Sequence, residues 1–294
     1  MYENSLIKRV GYKFFDLLPD KLFIQLKFFK NFHRFPNLKN PQTFSEKIQW
    51  LKLYDRNPRY TNLVDKYEVK KIVAELIGEQ YIIPTLGVWN NADEIDFDAL
   101  PNQFVLKATH DSGRIIICKD KSKLDKEWAR KEMAKSLERD FYALTREWPY
   151  KNVPRRIIAE EYMEDFDTNE LRDYKFFCMD GDAKLLFVAT GRQTKSEPDF
   201  DFFDMEFNHL PFRHGHPNAP ILPNKPKNFE LMKDLSNKLS KGFPQVRVDL
   251  YEINGKVYFG ELTFFHHSGM VPFDPEEWDY KLGKMVRLPI EKTV

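Results

Sequence analysis

The sequence predicts a mixed fold, α+β or α/β, in which short helices alternate with antiparallel hairpins, and three observations predict it. Strand-like stretches meet at tight-turn signals, Asp180-Gly181 and Asn254-Gly255, where a doubly wound parallel sheet would need helical crossovers. Apolar residues make up 42% of 294 positions, 26 of them Phe, which supplies a sizeable core and argues against disorder. No internal repeat is visible, which excludes a solenoid, and no apolar run approaches the ~18 residues of a membrane span. At ~150 residues per domain the length fits about two domains or one two-lobed body.

Each element has its own signal. Residues 1–35 mix Phe and Leu with Lys around Pro19 and before Pro36, as two short amphipathic helices would. Thr43 and Glu46 have capping-box spacing, with Phe44, Ile48 and Leu51 on one helical face behind them. A helix is expected over Asp65–Ile77, with Val69, Ile72, Val73 and Leu76 as its stripe and Gly78 as its stop. Gln103–Ala108 and Arg114–Cys118 read as strands around a short polar loop. A charged helix follows at 125–143, then a strand over Arg156–Met163. Tyr174–Met179 and Lys184–Thr190 form a hairpin, and residues 192–227, rich in Pro, Asp, Phe and His without a period, read as a long loop. A helix at 228–241 precedes a last hairpin, Val246–Glu252 with Lys256–Thr263.

The net charge of +1 conceals an asymmetry. Residues 1–60 hold 12 Lys+Arg against 5 Asp+Glu, and the remainder is acidic by 6. Such a segment either meets something anionic, such as a membrane surface or an acidic glycan, or packs against the acidic body. Nucleic acid is disfavoured as a partner, because the basic excess is confined to one end. The charged N-terminus lacks a signal-peptide pattern, and Cys118 and Cys178 lie in apolar runs as buried thiols would, so a cytoplasmic protein is expected.

Three constellations carry chemistry. Lys107 lies late in a strand and is followed by His110-Asp111-Ser112-Gly113-Arg114, a strand–loop–strand cradle suited to phosphates, although one glycine in a hairpin is also ordinary. Arg247 and Asp249 share a strand face, and Glu261 joins them only if the Asn254-Gly255 hairpin has an odd loop. A two-residue loop pairs Ile253 with Lys256 and would put the carboxylates on opposite faces. The third is the acidic run from Glu160, with Asp173 and Lys175 on the next strand, readable also as solvated charge. His214-Gly-His216 lacks a third ligand and is a weak metal motif. His266-His267 would alternate sides if the strand continued.

In order, these residues resemble the TupA-like ATP-grasp family, whose members occur among surface-polysaccharide genes. The likeness runs from about Phe32 to Pro289 and is carried by NPQTFSEKIQWLKLYDR, LVDKYEVKKIVAELIGEQYIIPTLGVW, LPNQFVLKATHDSGRIIICKDKSKLD, REWPYKNVPRRIIAEEYMED, DYKFFCMDG and RVDLYEINGKVYFGELTFFHHSG. It implies an ATP-grasp fold of two lobes clasping a nucleotide: a helical basic segment at 1–60, a first lobe at 61–165 and a second at 166–294. It implies ATP and Mg²⁺, with Lys66 and Lys107 on the phosphates and His110, Asp111, Ser112, Gly113 and Arg114 as the loop over them. Glu160, Glu161, Tyr162 and Met163 would meet adenine, and Asp173 the ribose. Asp249 and Glu261 would hold the metal, with Thr263 where the superfamily usually has Asn. Arg247, Lys107 and Lys175 would act in catalysis. In that context both carboxylates are expected on one face, through an odd-length or bulged turn at Asn254-Gly255. With a clean two-residue turn the two-carboxylate metal site would be wrong.

The implied reaction is ATP-dependent ligation of a carboxylate to an amine through an acyl phosphate, with main-chain N–H groups near Ser268-Gly269 helping Arg247 with oxyanions. The acid would be a uronic acid of a surface glycan and the amine an amino acid. A glycan kinase, or a non-catalytic scaffold of a polysaccharide-assembly complex with a decayed nucleotide site, are the alternatives; peripheral contact with an anionic membrane or with polysaccharide-assembly enzymes is the further partner expected.

Overall fold

The computed structural model describes residues 18–166, 171–191 and 197–289. The first of the two N-terminal helices expected lies outside them. The second is α1 (Asp20–Phe32), followed by α2 (Phe44–Tyr54), α3 (Arg59–Val64) and α4 (Glu68–Ile77). The Thr43 hydroxyl accepts from the Glu46 N–H (3.1 Å) while the Glu46 carboxylate accepts from the Thr43 N–H (3.2 Å), so the capping box is complete. Behind it Phe44, Ile48 and Leu51 are buried. Asp65 accepts from the N–H of Tyr67 at 2.9 Å and opens α4, and Gly78 closes it at φ +117°. Val69 and Val73 are buried as expected, whereas Leu76 is exposed.

Two antiparallel sheets follow. The smaller runs in the order β1-β4-β2-β3, from β1 (Thr85–Trp89), β2 (Phe104–Ala108), β3 (Ile115–Cys118) and β4 (Ile157–Glu161). α5 (Lys126–Leu137), capped by Asp125, lays Ala129 and Met133 on it, and α6 (Phe141–Thr145) leads towards β4. The larger sheet runs β10-β9-β5-β6-β7, from β5 (Asp173–Met179), β6 (Asp182–Thr190), β7 (Asp199–Phe203), β9 (Gln245–Ile253) and β10 (Lys256–Thr263). Behind it α7 (Phe229–Leu239) buries Phe229, Met232, Leu235 and Leu239. β8 (Arg213–His214) pairs with β11 (Phe273–Asp274), and α8 (Glu277–Met285) packs on α2. Two main cores result, with a small third cluster of Phe23, Ile24, Phe28 and Met270 under α1. Of the main two, the smaller lies within residues 92–159; the larger takes in Tyr60, Leu63, Val69 and Val73 of α3 and α4 along with the Phe-rich second sheet.

Two expectations fail here. Residues 192–227 are not a structureless loop: among the described ones, Asp199–Phe203 form β7 on the edge of the larger sheet. Its sequence, DFDFF, alternates over only four residues within a stretch rich in Pro, Asp and His, and the aspartates that read as exposed, Asp199 and Asp201, are buried as well. The Asn254-Gly255 turn is also neither odd nor bulged. Ile253 pairs with Lys256, and both turn residues have positive φ (+51° and +76°). The bulge lies further along β10, at Gly260. Phe259 pairs with Leu250 and Glu261 with Asp249, so Gly260 is the extra residue.

Candidate active site

That bulge decides the chemistry. In a regular hairpin Gly260 would face Asp249 and Glu261 would point to the opposite side. One additional residue restores Glu261 to the face of Asp249, so the two-residue turn does not abolish the carboxylate pair. Across the sheet the register then aligns Glu261, Asp249, Lys175 and Phe187, with Thr263, Arg247 and Phe177 in the next row and Tyr251 and Asp173 in the one before.

Arg247 ties this floor together. Its guanidinium grips Asp249 with Nε at 2.7 Å and Nη2 at 2.6 Å, and Nη2 also reaches Glu261 (3.1 Å) and the Thr263 hydroxyl (2.9 Å). The Thr263 hydroxyl lies 3.2 Å from Glu261. Lys175 makes a short ion pair with Asp249 and lies 3.3 Å from Asp173. Burial depresses the Lys175 pKa, and Asp249 opposes that. Glu261 shows the reverse balance: its burial deep in the cleft would raise its pKa, but Lys175, Lys66 and Arg247 hold it well below the ordinary carboxylate range. Its side chain is 42% open to the cleft, so the three cations, rather than any solvent-free pairing, set its charge. Two carboxylates meeting on one nitrogen, with a hydroxyl beside them, form a hard-oxygen donor set that fits Mg²⁺.

The opposite wall belongs to the smaller sheet. Glu160 on β4 receives a short ion pair from Lys107 on β2 and another from Lys70 of α4 at 2.6 Å. Its burial works against ionisation, yet Lys107 and Lys70 hold its pKa down to about 2. Lys66 stands between wall and floor. Its pKa is depressed by burial and raised by Glu261 on one side and by Asp111 and Glu160 on the other. Its ammonium donates to the Asp111 carbonyl.

The loop residues divide. Ser112 faces the cleft, and Gly113 sits at φ +97° with open space around it. Asp111 and His110 turn inward: Asp111 pairs with Arg139 at 3.0 Å, and the His110 ring lies 3.2 Å from the Arg139 carbonyl. Arg114 turns out towards Glu132 of α5, 3.7 Å away. Beyond Lys107 an apolar slot is lined by Val105, Ile117, Met163 and Tyr251, with Glu161 and Tyr162 at its edge. Asp173 is fully buried beside Lys175 rather than displayed in that slot.

The cleft over the floor has a volume of about 460 Å³; Lys66, Lys175, Arg247 and Glu261 line it, and it extends to an aromatic end walled by Phe141, Phe187 and Phe200. Sequence reading missed three residues around the cleft. Lys70 was one lysine among several on a helix. Lys52 and Glu147 are buried far apart in the chain, Lys52 donating to the Thr145 carbonyl (3.1 Å) and Ser268 hydroxyl (2.9 Å). Burial lowers the pKa of Lys52 and raises that of Glu147, each partly offset by the other. The Ser268 N–H, expected to serve an oxyanion, already donates to the Phe265 carbonyl at 2.7 Å. His266 and His267 do not alternate sides, because the strand ends at Thr263 and both rings line this cleft.

Nitrogens of His214, His266 and His267 lie within 4.8 Å of one another. Arg247 nevertheless donates to His266 Nδ1 at 2.6 Å, and a guanidinium has no lone pair to accept with. The His266 hydrogen must then sit on Nε2, the nitrogen a metal would need, and Arg247 adds positive charge beside it. His266 is therefore an uncharged acceptor for Arg247, with His214 and His267 packed beside it. Burial holds the His214 pKa down to about 4, consistent with this.

Curated proteins offer no match to this chain. Among solved structures it is similar to the ATP-grasp ligase PsnB complexed with minimal precursor, Mg and ADP, at 12% identity over 75% of this chain and 57% of that one, TM-score 0.38. It is also similar to D-alanine–D-alanine ligase from Helicobacter pylori (16%, 83% and 69%, TM-score 0.41) and L-amino acid ligase from Bacillus licheniformis (13%, 76% and 49%, TM-score 0.45). The chain spans little more than half the length of PsnB. A family model, TupA-like ATP-grasp, matches residues 46–287 and so covers both sheets and every cleft residue described above. The chain belongs to the TupA-like ATP-grasp family.

Proposed function

We propose that this protein is an ATP-dependent carboxylate–amine ligase that forms an amide through an acyl phosphate, joining an amino acid or similar amine to a sugar acid of a surface glycan. The observation that carries the reading is the row Glu261–Asp249–Lys175 with Arg247, facing Lys66 and Lys107 across one cleft. Magnesium, held by Asp249 and Glu261 with Thr263 beside them, would spread the charge of the ATP phosphates. Lys66 and Lys107 would bind those phosphates, Lys107 exchanging Glu160 for them. Arg247, fixed by Asp249 and His266, would meet the negative charge that develops as the substrate carboxylate attacks the γ-phosphorus and as the amine displaces phosphate. The Ser112-Gly113 tip would cover the phosphates and exclude water. The slot by Met163 would take adenine. The aromatic end of the cleft would take the acceptor, since flat apolar walls with a few polar groups suit a polar ring.

The test is to incubate the chain with Mg²⁺·ATP and pairs of sugar acids and amino acids. ADP, phosphate and an amide of the summed mass, less water, are expected. A phosphorylated sugar with ADP and no free phosphate would replace the ligase by a kinase. Absence of any thermal shift with Mg²⁺·ATP would overturn both and favour a scaffold. Saturation ~100-fold above Kd should add about 2.7 kcal/mol.

A further inference from the structure

We propose that α1 docks the protein on an anionic lipid surface. Its inner face is accounted for: Phe23, Ile24 and Phe28 are buried against Leu53 and Met270, Lys27 donates to the Leu144 carbonyl at 2.8 Å, and Arg146 lies 4.4 Å from the Phe23 ring. The outer face is apolar as well. Leu22, Leu26 and Phe29 recur at helical spacing with 42%, 41% and 45% exposure, and Phe35, 57% exposed, stacks on Phe29 at 4.9 Å and extends the stripe. A surface helix ordinarily turns charge to water opposite its buried face. Here charge is displaced to the flanks.

The flanking charge identifies the occupant. Lys21 and Lys30 border the stripe and Lys39 follows, all exposed, and none enters an ion pair among the described residues. Between residues 18 and 40 the one acidic side chain is Asp20, and it is engaged by Arg56 at 2.6 Å and by the Tyr142 hydroxyl at 2.7 Å. Leu and Phe in the centre with unpaired lysines on both sides is the arrangement that inserts shallowly into an acyl boundary while its ammonium groups meet anionic headgroups. An acidic protein partner would satisfy the lysines but would not call for four bare apolar side chains within a cationic rim. α1 packs on Leu144 and Arg146, in the segment whose Phe141, Thr145 and Glu147 line the cleft. Docking would therefore bring that part of the cleft close to the lipid surface.

The experiment is vesicle co-sedimentation of the full chain at low salt, with phosphatidylcholine alone and with about one third phosphatidylglycerol added. Binding is expected to the mixed vesicles only, and it should weaken as salt rises. Leu26→Glu/Phe29→Glu should lower it by about tenfold or more, and Lys21→Glu/Lys30→Glu likewise. All four positions are exposed, so both variants should keep the wild-type melting temperature and Mg²⁺·ATP response. No binding to mixed vesicles, or equal binding to neutral ones, would overturn the proposal. So would binding that survives both double variants, which would place it on another surface. A doubling of mass in solution that Leu26→Glu abolishes would mean a second copy covers the stripe, and would overturn it too.

Discussion

The two sides of the cleft balance their charges differently. On the smaller sheet one carboxylate, Glu160, is held by two lysines from different elements, each through a single ammonium. On the larger sheet Asp249 is gripped by Nε and Nη2 of Arg247 and by Lys175, and the same guanidinium reaches Glu261, Thr263 and His266. A lysine is a point charge on a flexible stem and can exchange partners; a forked guanidinium locked at several points cannot do so without disturbing its neighbours. The wall is thus suited to releasing Lys107 to a ligand, and the floor to holding its geometry through the reaction.

The largest effect should come from breaking the floor. Asp249→Ala leaves Arg247 and Lys175 facing each other without their shared anion, and about 3–5 kcal/mol of unfolding free energy should be lost in a denaturant titration. Next comes acid. Because Glu160 titrates near 2 when folded and about 4.3 when unfolded, its contribution is present above pH ~4.3 and disappears as pH falls towards 2. Urea unfolding across that window should show a loss on the order of 3 kcal/mol that Glu160→Gln does not share. Lys107→Ala should cost about 1–2 kcal/mol, less than Asp249→Ala, since Lys70 still pairs with Glu160. It should nevertheless abolish most of the Mg²⁺·ATP thermal shift. Equal stability costs for Lys107→Ala and Asp249→Ala would erase the distinction drawn between wall and floor.

The smallest effect is expected from deleting Gly260. Without the extra residue, Phe259 and Glu261 become neighbours in a regular hairpin and still oppose Leu250 and Asp249. The Mg²⁺·ATP shift should survive. Its loss would mean that the bulge supplies local twist the floor requires, beyond register alone.

Much of the fold was legible before any coordinates. The capping box at Thr43, the stop at Gly78 and the two hairpin turns are local signals whose chemistry does not wait for tertiary context. β7 was not, because a doubly buried edge strand with two buried aspartates carries the composition of a loop. Lys66, Lys107, Arg247, Asp249 and Glu261 stood out in order along the chain, and the structure brings them to one cleft. Asp173 and Arg114 stood out equally, yet one is buried under Lys175 and the other turns to α5.

The amino-acid sequence by itself determined the family, the antiparallel hairpins and the charged residues available for phosphate and metal. Periodicity, turn chemistry and residue order are written locally. Only the tertiary structure decided which of those charges meet. The face of Glu261 hangs on an unpaired glycine six residues past the turn's asparagine, and nothing in a two-residue Asn-Gly turn announces it. Lys52 and Glu147, both buried, came within each other's electrostatic reach only when α2 met the segment at Thr145. Side-chain period fixes which residues share a face within one strand, but register between strands and contacts between distant elements are settled by packing.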